Sequence, residues 1–450
     1  MKGKGFFSAI MLVWSLLLPI AAFGTTYYVA PGGNNSNPGT LAKPWRTITK
    51  AAQTLVAGDT VYIRAGTYSE QVTPQNSGRS GQYIVYAAYP GETVTIDGSG
   101  ITLPDDLYGV FHIANKSYLK VSGLRVINAG FYNDNAGIMV RNSDYITIEK
   151  NYTSHTWSSG IGVWESTNIV IDGNEVNQAG SGGWQECISI AQTGFFEVKN
   201  NHVHHGYKEG ICAKQGAHDG KIYRNHVHDV TRVGIYVDAH DQHTYHLDLY
   251  QNRVHDTGNN GFALASEQGG LLENIRIYNN LAYQNYYSGI CLSHEPSELP
   301  QPVKNVTMIN NTCYQNGNPE PGWGGGISLE NTDVAHVENI VIRNNICSEN
   351  AQFQIQHEYP ESVTSDHNLV WGVEGYAEND GTAVVEADPL FINPTDADFY
   401  LQSTSPAINQ GAATDAPTVD FDGQARPQAG AYDIGAYEFR SGNAYLLWTK

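Results

Sequence analysis

The stretch GIYVDAHDQHTYHLDLYQNRVHDTGNNGFALASEQGG, from Gly234 to Gly270, gathers Tyr236, Asp238, His240, Asp241, His243 and Glu267 in a short span. Phenols, imidazoles and carboxylates give and take protons, so these residues are the material of general acid–base chemistry. Two carboxyl groups can divide that work when their surroundings push their pKa values apart, one acting ionised and the other protonated. Whether they meet depends on the elements that carry them.

Those elements repeat. GIMVR from Gly137, GIGVW from Gly160, CISIA from Cys187, GICAK from Gly210, GIYVD from Gly234, GFALA from Gly261, GICLS from Gly289 and GISLE from Gly326 begin mostly 23 to 28 residues apart. Each is followed by a second apolar segment ending in Asn: ITIEKN, IVIDGN, FFEVKNN, KIYRN, LDLYQN, IRIYNN, VTMINN, IVIRNN. Short strands with Gly or Asn corners at this period predict an all-β fold, a right-handed parallel β-helix with one repeat per turn. The corner asparagines Asn151, Asn174, Asn201, Asn225, Asn252, Asn280, Asn311 and Asn345 are expected to stack as a structural amide ladder. The segment from about Trp45 carries Ile48, Ala51, Ala52 and Leu55 on one helical face and is expected to plug the open N-terminal end. Boundaries follow: a signal peptide over 1–24, an N-terminal cap and first turns over 25–108, repeats over 109–371 and a C-terminal capping segment over 372–450.

The two-residue period of a strand places the second and fourth residues of each first strand inward and the third and fifth outward, toward solvent. The fifth column reads Arg141, Trp164, Ala191, Lys214, Asp238, Ala265, Ser293, Glu330, and the third contains Cys212, Tyr236 and Ala263. A groove floor results, with Lys214 one turn below Asp238 and Glu267 just past the strand one turn above. Asp238, beside Lys214, is expected ionised; Glu267, among small residues and glycines, is expected protonated. Two carboxylates on adjacent turns stand roughly 5–9 Å apart, the range of glycosidase pairs. Arg141, Trp164, His228, Asp241 and Glu330 are candidates for holding a substrate, and Trp157, Trp184 and Trp323 offer further rings for a sugar face. A second outward file holds His204, His228, His255, Tyr283 and Tyr314. The site residues require no cofactor; the file has donors for a divalent ion, with Asp229 and Asp256 nearby, but ring stacking along a solvated ladder is the simpler reading, since stacked rings do not converge tetrahedrally.

YYVAPGGNNSNPGTLAKPWRTITKAAQTLVAGDTVYIRAGTY near the N-terminus and DADFYLQSTSPAINQGA…DIGAYEF near the C-terminus resemble segments of secreted β-helix proteins of the pectin-lyase-like superfamily. The resemblance covers nearly the whole chain after the leader and implies the fold and carbohydrate-active biology. GIYVD resembles the strand of β-helix glycosidases, β-xylosidase relatives included, that bears an Asp followed one turn later by a Glu; Glu267 departs by lying two residues beyond that column. Tyr236 with Asp238-Ala239-His240 resembles, with Ala in place of Pro, the motif of alginate C5-epimerases. That likeness implies His240 as base, Tyr236 as acid and Lys214 to neutralise a uronate. The Lys–Arg pair of other β-helix lyases and the clustered aspartates of calcium-dependent pectate lyases are not evident. The leading reading is carboxylate-pair hydrolysis of a polysaccharide or oligosaccharide; the alternatives are a lyase or epimerase and a non-catalytic glycan-binding β-helix.

Composition agrees with export and a neutral partner. Lys2 and Lys4 precede the apolar run FFSAIMLVWSLLLPIAAF, with a cleavage site expected near Gly24 and a secreted or periplasmic product. No later segment suits a membrane span. A formal net charge of -20 opposes nucleic acid as partner. Five cysteines form no CxxC and leave an odd thiol. A monomer is expected.

Overall fold

The computed structural model describes residues 24–440 apart from 131, 294–298, 319–321, 332–333, 359–360, 376–377 and 429, so the leader except Gly24 lies outside the described residues. Within them the chain coils through three parallel sheets. The floor sheet has ten strands from Gly109–Ala114 to Ile355–Gln356. The second sheet has thirteen, from Thr26–Val29 to Val363–Asp366, and the third has thirteen, from Gly66–Tyr68 to Val385–Glu386. Ile235, Val237, Leu247, Leu249 and Val254 show how one turn fills the interior from all three sheets, each almost wholly buried.

The corner between the second and third sheets repeats one device. A residue with left-handed backbone (Lys150, Gly173, Asn200, Arg224, Gln251, Asn279, Asn310, Asn344 or His367) is followed each time by a buried Asn. The left-handed conformation is unfavourable for any residue with a Cβ, and the ladder offsets it. Asn252 Oδ1 accepts from the backbone N–H and the side-chain amide of Asn225 at 3.1 and 3.0 Å, while its own Nδ2 donates to Ile222 O at 2.9 Å and to Asn280 Oδ1 at 3.0 Å. The same pattern runs from Asn151 to Asn345 and continues to Asn368. A shorter second ladder, Asn285, Asn316 and Asn350, ends on Gln354.

The N-terminal plug is the helix Ile48–Thr54, capped by the Thr47 hydroxyl, with Ile48, Ala51, Ala52 and Leu55 buried. At the other end the Glu378 carboxylate accepts from the N–H groups of Gln354 and Ile355, both at 2.8 Å, and satisfies the last floor strand. The C-terminal segment does more than close that end. It runs back along the flank, where Asn344, Asn310, Asn279 and Gln251 donate to the carbonyls of Ala412, Asp433, Val419 and Asp420. Phe391 and Phe399 pack on Tyr283 and Tyr314, which are therefore buried rather than outward-facing. No described helix is long and apolar enough to cross a membrane. All five cysteines are buried and unbridged.

Replacing Asn252 with Leu should leave the Asn225 N–H and the Ile222 carbonyl unpaired. Loss of about 1–3 kcal/mol per orphaned group is expected. Urea denaturation should show it as a lower midpoint with an unchanged slope.

Candidate active site

Parallel register carries the floor columns into space as expected. Lys214, Asp238 and Ala265 are successive partners in one column, and Cys212, Tyr236 and Ala263 in the next. The expectation that both columns face solvent fails. Ser189, Cys212, Ala263, Cys291 and Ser328 are buried, and so is Asp238 at 4% exposure. Loops entering the floor strands fold back over them: Glu186 reaches Ser189, Trp323 reaches Glu330, and the Ser328 hydroxyl reaches that of Ser288. The floor is a recessed cleft.

In its middle, Ala263 and Ala265 leave space above Tyr236 and Asp238. The Tyr236 hydroxyl donates to Glu267 Oε1 at 2.5 Å. Asp238 Oδ1 accepts from the N–H of His240 at 2.7 Å and, more weakly, from that of Glu267 at 3.5 Å, whereas Oδ2 has no partner among the described residues. The first contact is an Asx turn, so Asp238 also shapes the bend in which His240 adopts φ 50°. His240 Nδ1 meets Asp241 Oδ1 at 3.2 Å at the rim.

Lys214 does not pair with Asp238. Its ammonium donates to both Glu186 oxygens at 2.9 Å and to Gln185 Oε1 at 2.6 Å, and it lies 5.8 Å from the centre of the Trp164 ring. Burial alone would push the Glu186 carboxyl up, but Lys214 and Lys208 hold it below its ordinary value. Burial works against the Lys214 ammonium too, and Glu186 nonetheless keeps its pKa above the ordinary lysine range. Asp238, without that cation, is pushed up to about 7 by burial and then by the charge of Glu267. Its expected ionised state is thereby corrected: near neutrality it holds a proton for much of the time. Tyr236 is raised well above its ordinary value by burial, Asp238 and Glu267.

The other candidates are spread along the cleft. Trp164 and Arg141 lie three and four turns below Asp238, and Arg141 Nε is 3.5 Å from Glu165. Glu330 stands three turns above, accepting from Trp323 Nε1 at 2.7 Å and Ser328 Oγ at 3.0 Å. His228 belongs to the third sheet, away from the floor. Glu186 and Glu209 escaped the sequence reading, yet each stands two residues before the start of a floor strand, Ile188 and Ile211, in adjacent turns. Aligning the loops as well as the strands reveals that repeat. Burial and the neighbouring Glu186 raise Glu209, which lies 3.5 Å from Lys208 and 3.6 Å from Arg232.

Comparison with known proteins gives the chain its relatives. The family described as Pel9A-like, right-handed beta helix region, matches residues 27–325. Pectate lyase L of Dickeya dadantii is 25% identical over 438 residues, covering 92% of this chain and 90% of that protein. YwoF of Bacillus subtilis is 25% identical over 442 residues, covering 85% and 92%. The crystal structure of pectate lyase Pel9A superposes with a TM-score of 0.59 at 18% identity, covering 93% of this chain and 98% of that one, which is a likeness of fold.

Because Lys214 is committed to Glu186, Lys214→Met should destabilise the protein by about 3–5 kcal/mol through an uncompensated buried carboxylate. This differs from a solvent-facing lysine, whose loss would leave melting nearly unchanged. The double variant Glu186→Gln/Lys214→Met should recover most of the loss in a thermal melt.

Proposed function

The chain belongs to the Pel9A-like right-handed β-helix family, and from that membership we propose an exported enzyme that cleaves glycosidic bonds of a polysaccharide in the Asp238–Tyr236–Glu267 cleft. The observation that carries the reading is the proton inventory of the cleft floor. A buried Asp238 keeps a proton close to neutral pH beside a second carboxyl group, Glu267, that the Tyr236 hydroxyl holds. The unpartnered Oδ2 of Asp238 is the atom suited to protonate a leaving oxygen. Glu267, through Tyr236, is the group suited to accept a proton. This role for Asp238 departs from the expectation that it is ionised.

Elimination is the leading chemistry, supported by the family and by similarity to a pectate lyase over most of both chains. This moves carboxylate-pair hydrolysis from the leading reading to the second. In elimination from a uronate chain, the proton α to the carboxylate passes to the Tyr236 oxygen as the Tyr236 proton passes to Glu267. The freed electron pair forms the C4=C5 double bond, and the C4–O bond breaks as Asp238 protonates the departing oxygen. Hydrolysis by the same pair, with water adding at the sugar carbon, is favoured by one observation. Lys214 is held by Glu186, which leaves the uronate carboxylate without that cation.

Incubation with pectate and with a neutral polysaccharide tests the assignment. Ultraviolet absorbance from a conjugated uronate marks elimination; new reducing ends without it mark hydrolysis; neither product on any glycan that binds would leave a binding protein. Asp238→Asn keeps an acceptor for the Asx turn but removes the proton donor. Its melting temperature should match wild type below about pH 4 and be no lower than wild type near neutrality, while turnover falls roughly 10²–10⁴-fold.

The pH dependence follows from the same group. The kcat/KM of the wild type should fall as pH rises through about 7, where Asp238 loses its proton. Stability has the matching sign. Between 3.8, the ordinary value for Asp, and about 7, the unfolded chain releases this proton and the folded chain retains it. Folding is therefore progressively disfavoured as pH rises across that window. Wild type should lose stability relative to Asp238→Asn over the window in parallel thermal melts.

A further inference from the structure

Away from the cleft, the third sheet carries a second concentration of chemistry. HVH in His202–His204, HVH in His226–His228 and RVH in Arg253–His255 are adjacent parallel strands, each with its central Val buried and its flanking residues partly exposed. One column holds His202, His226 and Arg253; the other holds His204, His228 and His255. Along the second column the rings stack face to face, His204 on His228 at 5.4 Å and 9°, His228 on His255 at 5.0 Å and 3°. Stacking accounts for that column but not for the contacts between columns. His202 Nε2 meets His228 Nε2 at 2.8 Å, and His226 Nε2 meets His255 Nε2 at 2.8 Å. The outward file His204, His228 and His255 contains neither His202 nor His226, so the convergence is visible only between columns.

The surrounding carboxylates fix the direction of the lone pairs. Asp229 Oδ2 lies 2.6 Å from His228 Nδ1, and Asp256 Oδ2 lies 2.6 Å from His255 Nδ1. With Nδ1–H donated to a carboxylate, Nε2 of each ring presents its lone pair toward the facing histidine. Carboxylate-supported imidazoles of this kind are what metal sites use to orient ligands. Glu175 is the register partner of His202 on the preceding turn and adds negative charge beside the column. We propose that His202, His226 and His228, whose ligand atoms lie within 4.8 Å of one another, bind one divalent transition-metal ion of the zinc class, which prefers imidazole nitrogen. The ion takes the place of the proton shared by His202 and His228. Tetrahedral zinc–nitrogen bonds of about 2.0–2.1 Å set nitrogens about 3.3 Å apart, so those two rings separate by about half an ångström on binding. Because its ligands come from two adjacent turns, the ion ties one coil to the next on a face separate from the cleft.

The test is calorimetric titration of the chelator-dialysed full chain with zinc chloride, paired with thermal melts. One zinc per chain and a higher melting temperature are expected. His226→Gln/His228→Gln should abolish both effects while retaining the wild-type circular dichroism spectrum. Asp229→Ala should weaken binding about 10–100-fold, and His246→Ala, on the second sheet, should leave it unchanged. Absence of saturable binding in wild type, or binding that persists undiminished in the double histidine variant, overturns the proposal.

Discussion

A buried amide at the corner between the second and third sheets binds the coil before it and the coil after it. Each ladder Asn receives the backbone N–H and the side-chain amide of its predecessor on one oxygen and returns a hydrogen bond to a carbonyl on the second-sheet strand of the preceding coil. The arrangement holds turn upon turn in a single register, because a slip would orphan every amide in the file, each at a penalty of about 1–3 kcal/mol. It also supports the left-handed residue that precedes each Asn. Register is what makes sequence columns into surfaces. Without it, Lys214 would not stand under Asp238, nor His204 under His228.

On that fixed frame the loops decide the electrostatics. The loop before the strand Ile188–Ala191 delivers Glu186 into the floor, where it captures Lys214. Asp238 is left to face burial and Glu267, with the N–H groups of His240 and Glu267 and the nearby His240 ring as its relief. One column of the cleft thus contains a paired, ionised couple and, one turn on, a carboxyl pushed up to about 7. Small side chains make this possible: bulk at Ala263 or Ala265 would close the space in which Tyr236 reaches Glu267. The C-terminal segment exerts a comparable influence elsewhere, covering Tyr283 and Tyr314 while leaving His204, His228 and His255 partly exposed.

The period, the inward apolar positions, the Asn ladder and the helical plug were all legible in the sequence, because each is a local pattern repeated until it is unmistakable. From these followed the β-helix and the columns that hold Tyr236, Asp238 and Lys214. Hydrogen-bonded neighbours in a parallel sheet are one repeat apart, so linear spacing maps directly onto distance along the coil.

Contacts that jump the repeat were decided by tertiary structure alone. Whether Lys214 met Asp238 or Glu186 depended on the path of an irregular loop, and that choice left Asp238 without a cation to hold its pKa down. The recess of the floor, the return of the C-terminal segment along the flank and the convergence of His202 with His228 share this origin. Each joins side chains that do not share a column of the repeat, as with His202 and His228 or Glu186 and Lys214. Burial and charge at such junctions are sums over neighbours from several segments, and no single segment contains that sum.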